Sequence, residues 1–515
     1  MGRKWKAAMA GVLALALFAG GCGGKQAATD SEKVFTYGTM AYGPAMETTS
    51  TDPHNSYDGW AAIRYGVGET LFKFNDNMEL IPWVAEGFEQ VDEYTIRVTI
   101  RDNVVFSNGK KVTGDAVKTC LEDLLARHDR APKDLKISSI TAEGQTVTIR
   151  SSEKMPALLN YLSDPYGCII DVEAGIHDGI AIGTGPYKAV KVTDTQVDLV
   201  KNENYWGEVK PKMDKIFVKS ITDGDTLTMA MQNGELDAAQ GLPYASLPIF
   251  QKDSARYKLS QVETSRVYQA AFNYKTPELQ DVRVRKAISM AIDKEGFTRV
   301  LLNGNGVPAV GPFPANLPFG GNAVTAAAYD PEGAKALLAE AGYRDTDGDG
   351  YLDKDGKPLE LHYLTYTSRQ ELPLLAEAAQ ASLKNIGVKL VVTATDNYKP
   401  LLKSGGYDIF AKAIVTAPTG DPEYYFTSHI VKGAVDNAGF YDSPQIAALE
   451  EELHSTYGAE RRSALAIRMS QQILDDCALF YASHLRMFFV MKPNVEGFSA
   501  HPSDYYEIRP ELDKK

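Results

Sequence analysis

From Asp330 to Leu453 the chain repeats one local plan, and that plan restricts the fold more than any other feature. Asp330-Pro331 is a helix start, with Ala334, Leu337, Leu338 and Ala341 on one face and Gly342 as terminator. Leu359, Leu361 and Tyr363 then alternate with polar residues, the period of a strand. Leu375, Ala379, Leu383 and Ile386 form a second helical face closed by Gly387, and Val388 to Thr395 and Tyr407 to Phe410 read as further strands. Ser443-Pro444 opens another helix through Ile446, Leu449 and Leu453. Helices alternating with strands in this way call for a largely parallel sheet with both faces covered, so the fold class is α/β.

The first half carries signals of the same kind. Tyr94, Ile96, Val98 and Ile100 alternate with Thr95, Arg97, Thr99 and Arg101, which gives a strand with one buried face. Asn108-Gly109 is a turn, because both residues tolerate positive φ. Thr113 is then the N-cap of a helix whose apolar face is Val117, Leu121, Leu124 and Leu125. Val34 to Met40 reads as an opening strand, and Asp281 caps a helix with Val284, Ala287, Ile288, Ala291 and Ile292 inward.

Met1 to Gly21 has the form of a signal peptide. Arg3, Lys4 and Lys6 precede an apolar run from Ala7 to Ala19, shorter than the roughly 20 residues a membrane span needs. Phe18-Ala19-Gly20-Gly21-Cys22 resembles a lipobox, so Cys22 is the expected lipidation site, with an ordinary secretory cleavage as the alternative. Residues 22–33 then form a small, polar linker. The expected location is outside the cell membrane or in the periplasm, with the membrane met only through the lipid anchor. A net charge of −13 disfavours non-specific binding to nucleic acid. Cys120, Cys168 and Cys477 lack the spacing of a zinc site, and two readings stay open for them: buried free thiols, or a Cys120–Cys168 disulfide.

Several strings are more specific than their local structure requires. They are W-V-A-E-G-F-E at 83–89, Y-T-I-R-V-T-I-R-D-N-V-V-F-S-N-G at 94–109, V-T-G-D-A-V at 112–117, G-T-G-P-Y at 183–187, K-N-E-N-Y-W-G at 201–207 and G-E-L-D at 234–237. In this order, after Asp52-Pro53-His54, the chain resembles family 5 of the extracytoplasmic solute-binding proteins, the capture subunits of peptide and nickel ABC importers. The resemblance runs from about Val34 to Leu512.

It implies a two-lobed clamshell of the periplasmic-binding-protein kind, with mixed sheets and hinge crossovers. Lobe I would span 34–264, with an extra subdomain at about 70–185. Lobe II would span 265–480, and 481–513 would return to lobe I. The implied partners are an ABC permease and its ATPase, with the chain itself a monomer. Peptide carriers of the family clasp the ligand's amino terminus with an Asp in the stretch that reads Ile414 to Pro422 here. Val415 and Pro418 depart from that pattern, and Asp421-Pro422 looks structural. The stretch is closer to nickel-binding members, which carry nickel as a chelate. An Arg used there for the chelator falls at Asp164 in this chain, so that part of the likeness is weak.

On this resemblance the candidate ligand contacts are Tyr37, Asn273, Thr416, Ala417, Pro418 and Tyr481, and the candidate metal ligands are His484, His429, His54 and His501. A nickel(II) chelate is the leading ligand and a di- or oligopeptide the alternative. Asp345, Asp347, Asp349 and Asp353 around Gly350 resemble a calcium loop, although Gly356 stands where the bidentate Glu would be, so any calcium binding is expected to be weak. The chain shows no G-x-S-x-G, no H-E-x-x-H and no Walker loop, and is read as a binding protein rather than an enzyme.

Overall fold

The computed structural model describes residues 32–515. The signal peptide, Cys22 and most of the linker lie outside the described residues.

One mixed sheet of eleven strands runs through the body of the chain. Its middle is a pair of long antiparallel strands, Lys258–Phe272 and Leu479–Met491. One end of this pair continues through Ala238–Gln240, Val34–Thr39, Lys215–Ser220, Gln196–Lys201 and Tyr187–Thr193. The other end continues through Ile409–Val415, Glu360–Thr365 and Lys389–Ala394. The register of the central pair is interrupted between Glu263 and Val267, and Arg266 is the first residue to pair with the 409–415 strand. The expected boundaries at 264/265 and 480/481 therefore both fall inside continuous strands.

The parallel pairing expected for 330–453 holds for the three strands of its sheet, while the eleven-stranded sheet as a whole is mixed. The strands 360–365, 389–394 and 409–415 are parallel, joined by the Glu371–Asn385 helix and a shorter one at Lys399–Ser404. The two long strands beside them are antiparallel to them or to each other. The local periodicity was sound, but crossover direction depends on strands over 60 residues away.

Both faces of the sheet are covered, as the pattern demanded. Tyr268, Ala270 and Phe272 face one core with Ile288, Leu338 and Leu375, whereas Val267 and Ala271 face another with Tyr425, Leu449 and Met469. A separate four-stranded sheet (Ala85–Asp92, Thr95–Ile100, Thr146–Ser151, Ile137–Glu143) packs on the Gly114–Arg127 helix. Thr113 caps that helix, its hydroxyl accepting from Ala116 N at 3.2 Å. Cys120, Cys168 and Cys477 are free and buried, so the Cys120–Cys168 disulfide is absent. The Cys120 thiol instead contacts the Cys168 carbonyl at 3.7 Å.

Two of the recurrent strings, at 183–187 and 201–207, meet at one buried carboxylate. Glu69 accepts from Thr184 at 2.9 Å, Tyr205 at 2.9 Å and Trp206 at 2.7 Å. A Cβ on Gly183 would lie 2.1 Å from the Val67 carbonyl oxygen, so only glycine allows this approach of two backbones. These contacts fix the packing of the two strings.

Candidate ligand site at the lobe seam

The 409–415 strand leaves the sheet into a loop that closes onto the other half of the chain. Thr416 donates from both its amide and its hydroxyl to the Ser265 carbonyl, at 2.9 and 3.0 Å. Ala417 is buried, the Pro418 carbonyl accepts from Tyr505 at 3.1 Å, and the Thr419 carbonyl accepts from Asn160 at 2.8 Å. Asp421 is held by Arg462 through two bonds of 2.8 and 2.7 Å, and Arg462 also reaches Glu423 at 2.6 Å. The Asp-Pro motif is thus a buried ion pair that shapes the loop.

Two polar clusters flank this loop. In the first, Arg130 pairs with Asp164 at 2.9 Å and lies over the rings of Tyr166 and Tyr57. Tyr424, from the Glu423–His429 helix, lies close enough to Arg130 and Asp164 to feel both charges. Behind it, His429 Nδ1 is 3.0 Å from Lys412 Nζ, and His429 Nε2 is buried without a partner. Burial and Lys412 together hold His429 well below its ordinary value, as a neutral ring.

In the second cluster, Arg64 pairs with Asp504 at 2.8 Å and Arg266 reaches the same carboxylate at 3.3 Å. Burial, then the charge of Arg369, push the Arg266 guanidinium down. Arg369 lines a cavity of about 380 Å³ with Gln240, Tyr244 and Glu371, a size suited to a small ligand. Glu371 accepts from Tyr244 through one oxygen, and its other oxygen is buried without a partner. Arg369 and Glu371 thus line one cavity, and the Arg369 charge is felt by Arg266 of the neighbouring cluster. Such a junction can hold a small ligand with carboxylates by paired, charge-assisted hydrogen bonds.

The remaining sequence candidates are placed as follows. Tyr37 is buried against Phe489 and Phe498, its hydroxyl unpartnered. Asn273 bridges the Tyr407 carbonyl and the Lys275 amide, and Tyr481 bonds Tyr425 at 2.7 Å inside a core. His54 bonds Asp123 at 2.7 Å, and His501 bonds Ser503 at 2.7 Å. His484 is buried with neither ring nitrogen partnered, and burial pushes it down to about 3. Among the described residues, no group of three metal-capable side chains contains His54, His429, His484 or His501. Asp345, Asp347 and Asp353 do converge, but Asp349 lies outside that group.

Arg130, Arg266, Arg369 and Glu371 belonged to no motif and were missed. One signal was available: Arg266 is a charge that immediately precedes Val267 to Phe272, a run apolar except for Gln269.

The sequence matches the model of bacterial extracellular solute-binding proteins, family 5 middle region, over residues 79–436. It is 26% identical to the nickel-binding protein NikA of Staphylococcus aureus over 466 residues, 90% of this chain and 91% of that one. It is 25% identical to the glutathione-binding protein GsiB of Pectobacterium atrosepticum over 489 residues, 89% of this chain and 91% of that one. The fold matches the crystal structure of a nickel ABC transporter protein from Bacillus halodurans with a TM-score of 0.78 and 27% identity, covering 94% of this chain and all of the other. The architecture is the two-lobed periplasmic-binding-protein fold.

Proposed function

The chain belongs to family 5 of the bacterial extracellular solute-binding proteins, and from that membership we propose that it captures a nickel(II) chelate outside the cytoplasmic membrane and delivers it, unaltered, to an ABC permease. The dispersal of the histidines carries the choice of a chelate over a bare ion. Among the described residues, none of the four candidates belongs to a group of three metal-capable side chains, which favours a metal that brings its own ligands. The seam contributes guanidinium groups suited to a chelator's carboxylates. The likeness to NikA over nine tenths of the chain supports the metal.

Isothermal calorimetry with Ni²⁺ alone and with Ni²⁺ plus free L-histidine tests this reading. Heat is expected only with the chelator present, and no heat in either titration rejects it.

A short peptide is the second reading. Arg369 and Glu371 line the same cavity and favour it, since their two charges suit the two ends of a zwitterion. The likeness to a glutathione-binding protein points the same way. Under this reading glutathione or a dipeptide binds, and Glu371→Gln abolishes that binding.

A further inference from the structure

His454 has a carboxylate on each side of its ring. Its Nδ1 lies 2.6 Å from Glu423 Oε1, and its Nε2 lies 3.7 Å from Glu153 Oε1. A neutral imidazole has one donor, so on one side its lone pair faces a carboxylate. Only a second proton or a metal ion on that nitrogen makes both contacts attractive.

The Pro444–Ser455 helix adds another carboxylate. Glu450 stands four residues before His454, so the two share a face, while Leu449 and Leu453 beside them are buried. One ligand atom each of Glu423, Glu450 and His454 lies within 4.8 Å of the other two. Glu450 is half-buried, and among the described residues its carboxylate takes part in no hydrogen bond and no ion pair. Glu423 is 4% exposed.

The charges around this group do not balance. The carboxylates are Glu153, Asp421, Glu423 and Glu450, with Glu451 exposed next along the helix. The cations are Arg462, shared between Asp421 and Glu423, and Lys136, 3.4 Å from Glu153. Lys154 turns away to Glu93 at 2.6 Å. An added cation at His454 offsets the surplus.

We propose that Glu423, Glu450 and His454 form a site for one divalent transition-metal ion of the zinc type, separate from the transported solute. Glu423 Oε1, one Glu450 oxygen and His454 Nδ1 are the protein ligands, and water completes four-coordination. The proton between Glu423 and His454 leaves to water as the ion takes its place. Glu423 Oε2 keeps its 2.6 Å bond from Arg462 Nη2. His454 Nε2–H then points to Glu153, the carboxylate–histidine–metal arrangement that orients a ligating ring. Glu153 follows the Thr146–Ser151 strand, whereas the ligands stand on the Glu423–His429 and Pro444–Ser455 helices. The ion therefore ties the four-stranded sheet to those helices.

The experiment strips the full chain of metal and titrates it with Zn²⁺ against a chromophoric chelator. One equivalent is expected to bind, with a rise in melting temperature. Glu450→Gln and His454→Gln each weaken Zn²⁺ at least about tenfold and abolish the rise. Glu450→Gln removes no hydrogen bond, so its fold is retained without metal. Asp347→Asn, in the acidic loop, leaves the titration unchanged. Calorimetry with the nickel–histidine complex on Glu450→Gln separates this site from the seam, and the same heat as for the unaltered chain is expected. No Zn²⁺ bound, unchanged affinity in a folded Glu450→Gln variant, loss of Zn²⁺ in Asp347→Asn, or a nickel–histidine heat lost together with Zn²⁺ in Glu450→Gln would each overturn the proposal. If the unaltered chain gives no nickel–histidine heat, the seam reading fails while the Zn²⁺ titrations still decide this one.

Discussion

Lys412 Nζ lies 3.0 Å from His429 Nδ1, and both side chains are buried. An ammonium has only donors, so Nδ1 accepts and the proton of the neutral ring sits on Nε2. That nitrogen cannot ligate a metal until the proton leaves. In the chelate reading His429→Ala therefore weakens binding at pH 7 by less than about threefold, and Arg130→Met by about tenfold or more. Calorimetry with the nickel–histidine complex measures both.

The same pair sets a pH dependence. Burial, opposed by Asp436, pushes Lys412 down to about 8, against about 10.4 in the unfolded chain. Between these values the unfolded state binds more protons than the folded state, so stability rises with pH across that window. Lys412→Met removes this contribution and lowers the slope by up to about 1.4 kcal/mol per pH unit. Urea unfolding from pH 7.5 to 10.5 reads the slope directly.

His454 works in the opposite sense. Its Nδ1 bonds Glu423 at 2.6 Å, its Nε2 lies 3.7 Å from Glu153, and the bond to Glu423 raises it above its ordinary value. Its stabilisation is fully present below about pH 6.5 and is lost as pH rises through the raised value. His454→Gln is expected to cost about 1 kcal/mol at pH 5.5 and much less at pH 9, solvent screening having reduced the first figure. Equal losses at the two pH values in urea melts contradict this.

Arg462 is buried with Asp421 and Glu423 on either side. Arg462→Met leaves two buried carboxylates without their cation, an expected loss of about 3–5 kcal/mol. Arg462→Lys keeps the charge but loses the paired geometry that holds Asp421, so it recovers only part. Denaturant midpoints for the three proteins give the order.

Gly183→Ala places a methyl group 2.1 Å from the Val67 carbonyl oxygen. The obstacle is backbone, which cannot swing aside as a side chain can. A loss above about 3 kcal/mol is expected, with Glu69 losing its bond from Thr184. Differential scanning calorimetry tests the loss.

The acidic loop is legible in a different way. Asp345 accepts from the Gly348 and Gly350 amides, and Asp349 from the Tyr351 amide, so the turn is closed by its own side chains. Sequence spacing showed the Asp pattern, but the backbone bonds that share those oxygens follow from the folded turn.

What the sequence determined by itself was local. Caps at Thr113, Asp281 and Asp330, the alternation from Ile96 to Ile100 and the helical stripe from Val284 to Ala291 all rest on residues within one or two turns of one another. The tertiary structure decided what long separations bring together. Arg64 and Asp504 are 440 residues apart and form one 2.8 Å bond, and Arg462 reaches back 41 residues to define the Asp-Pro loop. No window of sequence contains such pairs. Their geometry follows from two long central strands that carry the chain between its halves, and this is why the arginines of the seam and the scattering of the histidines emerged only once the chain was folded.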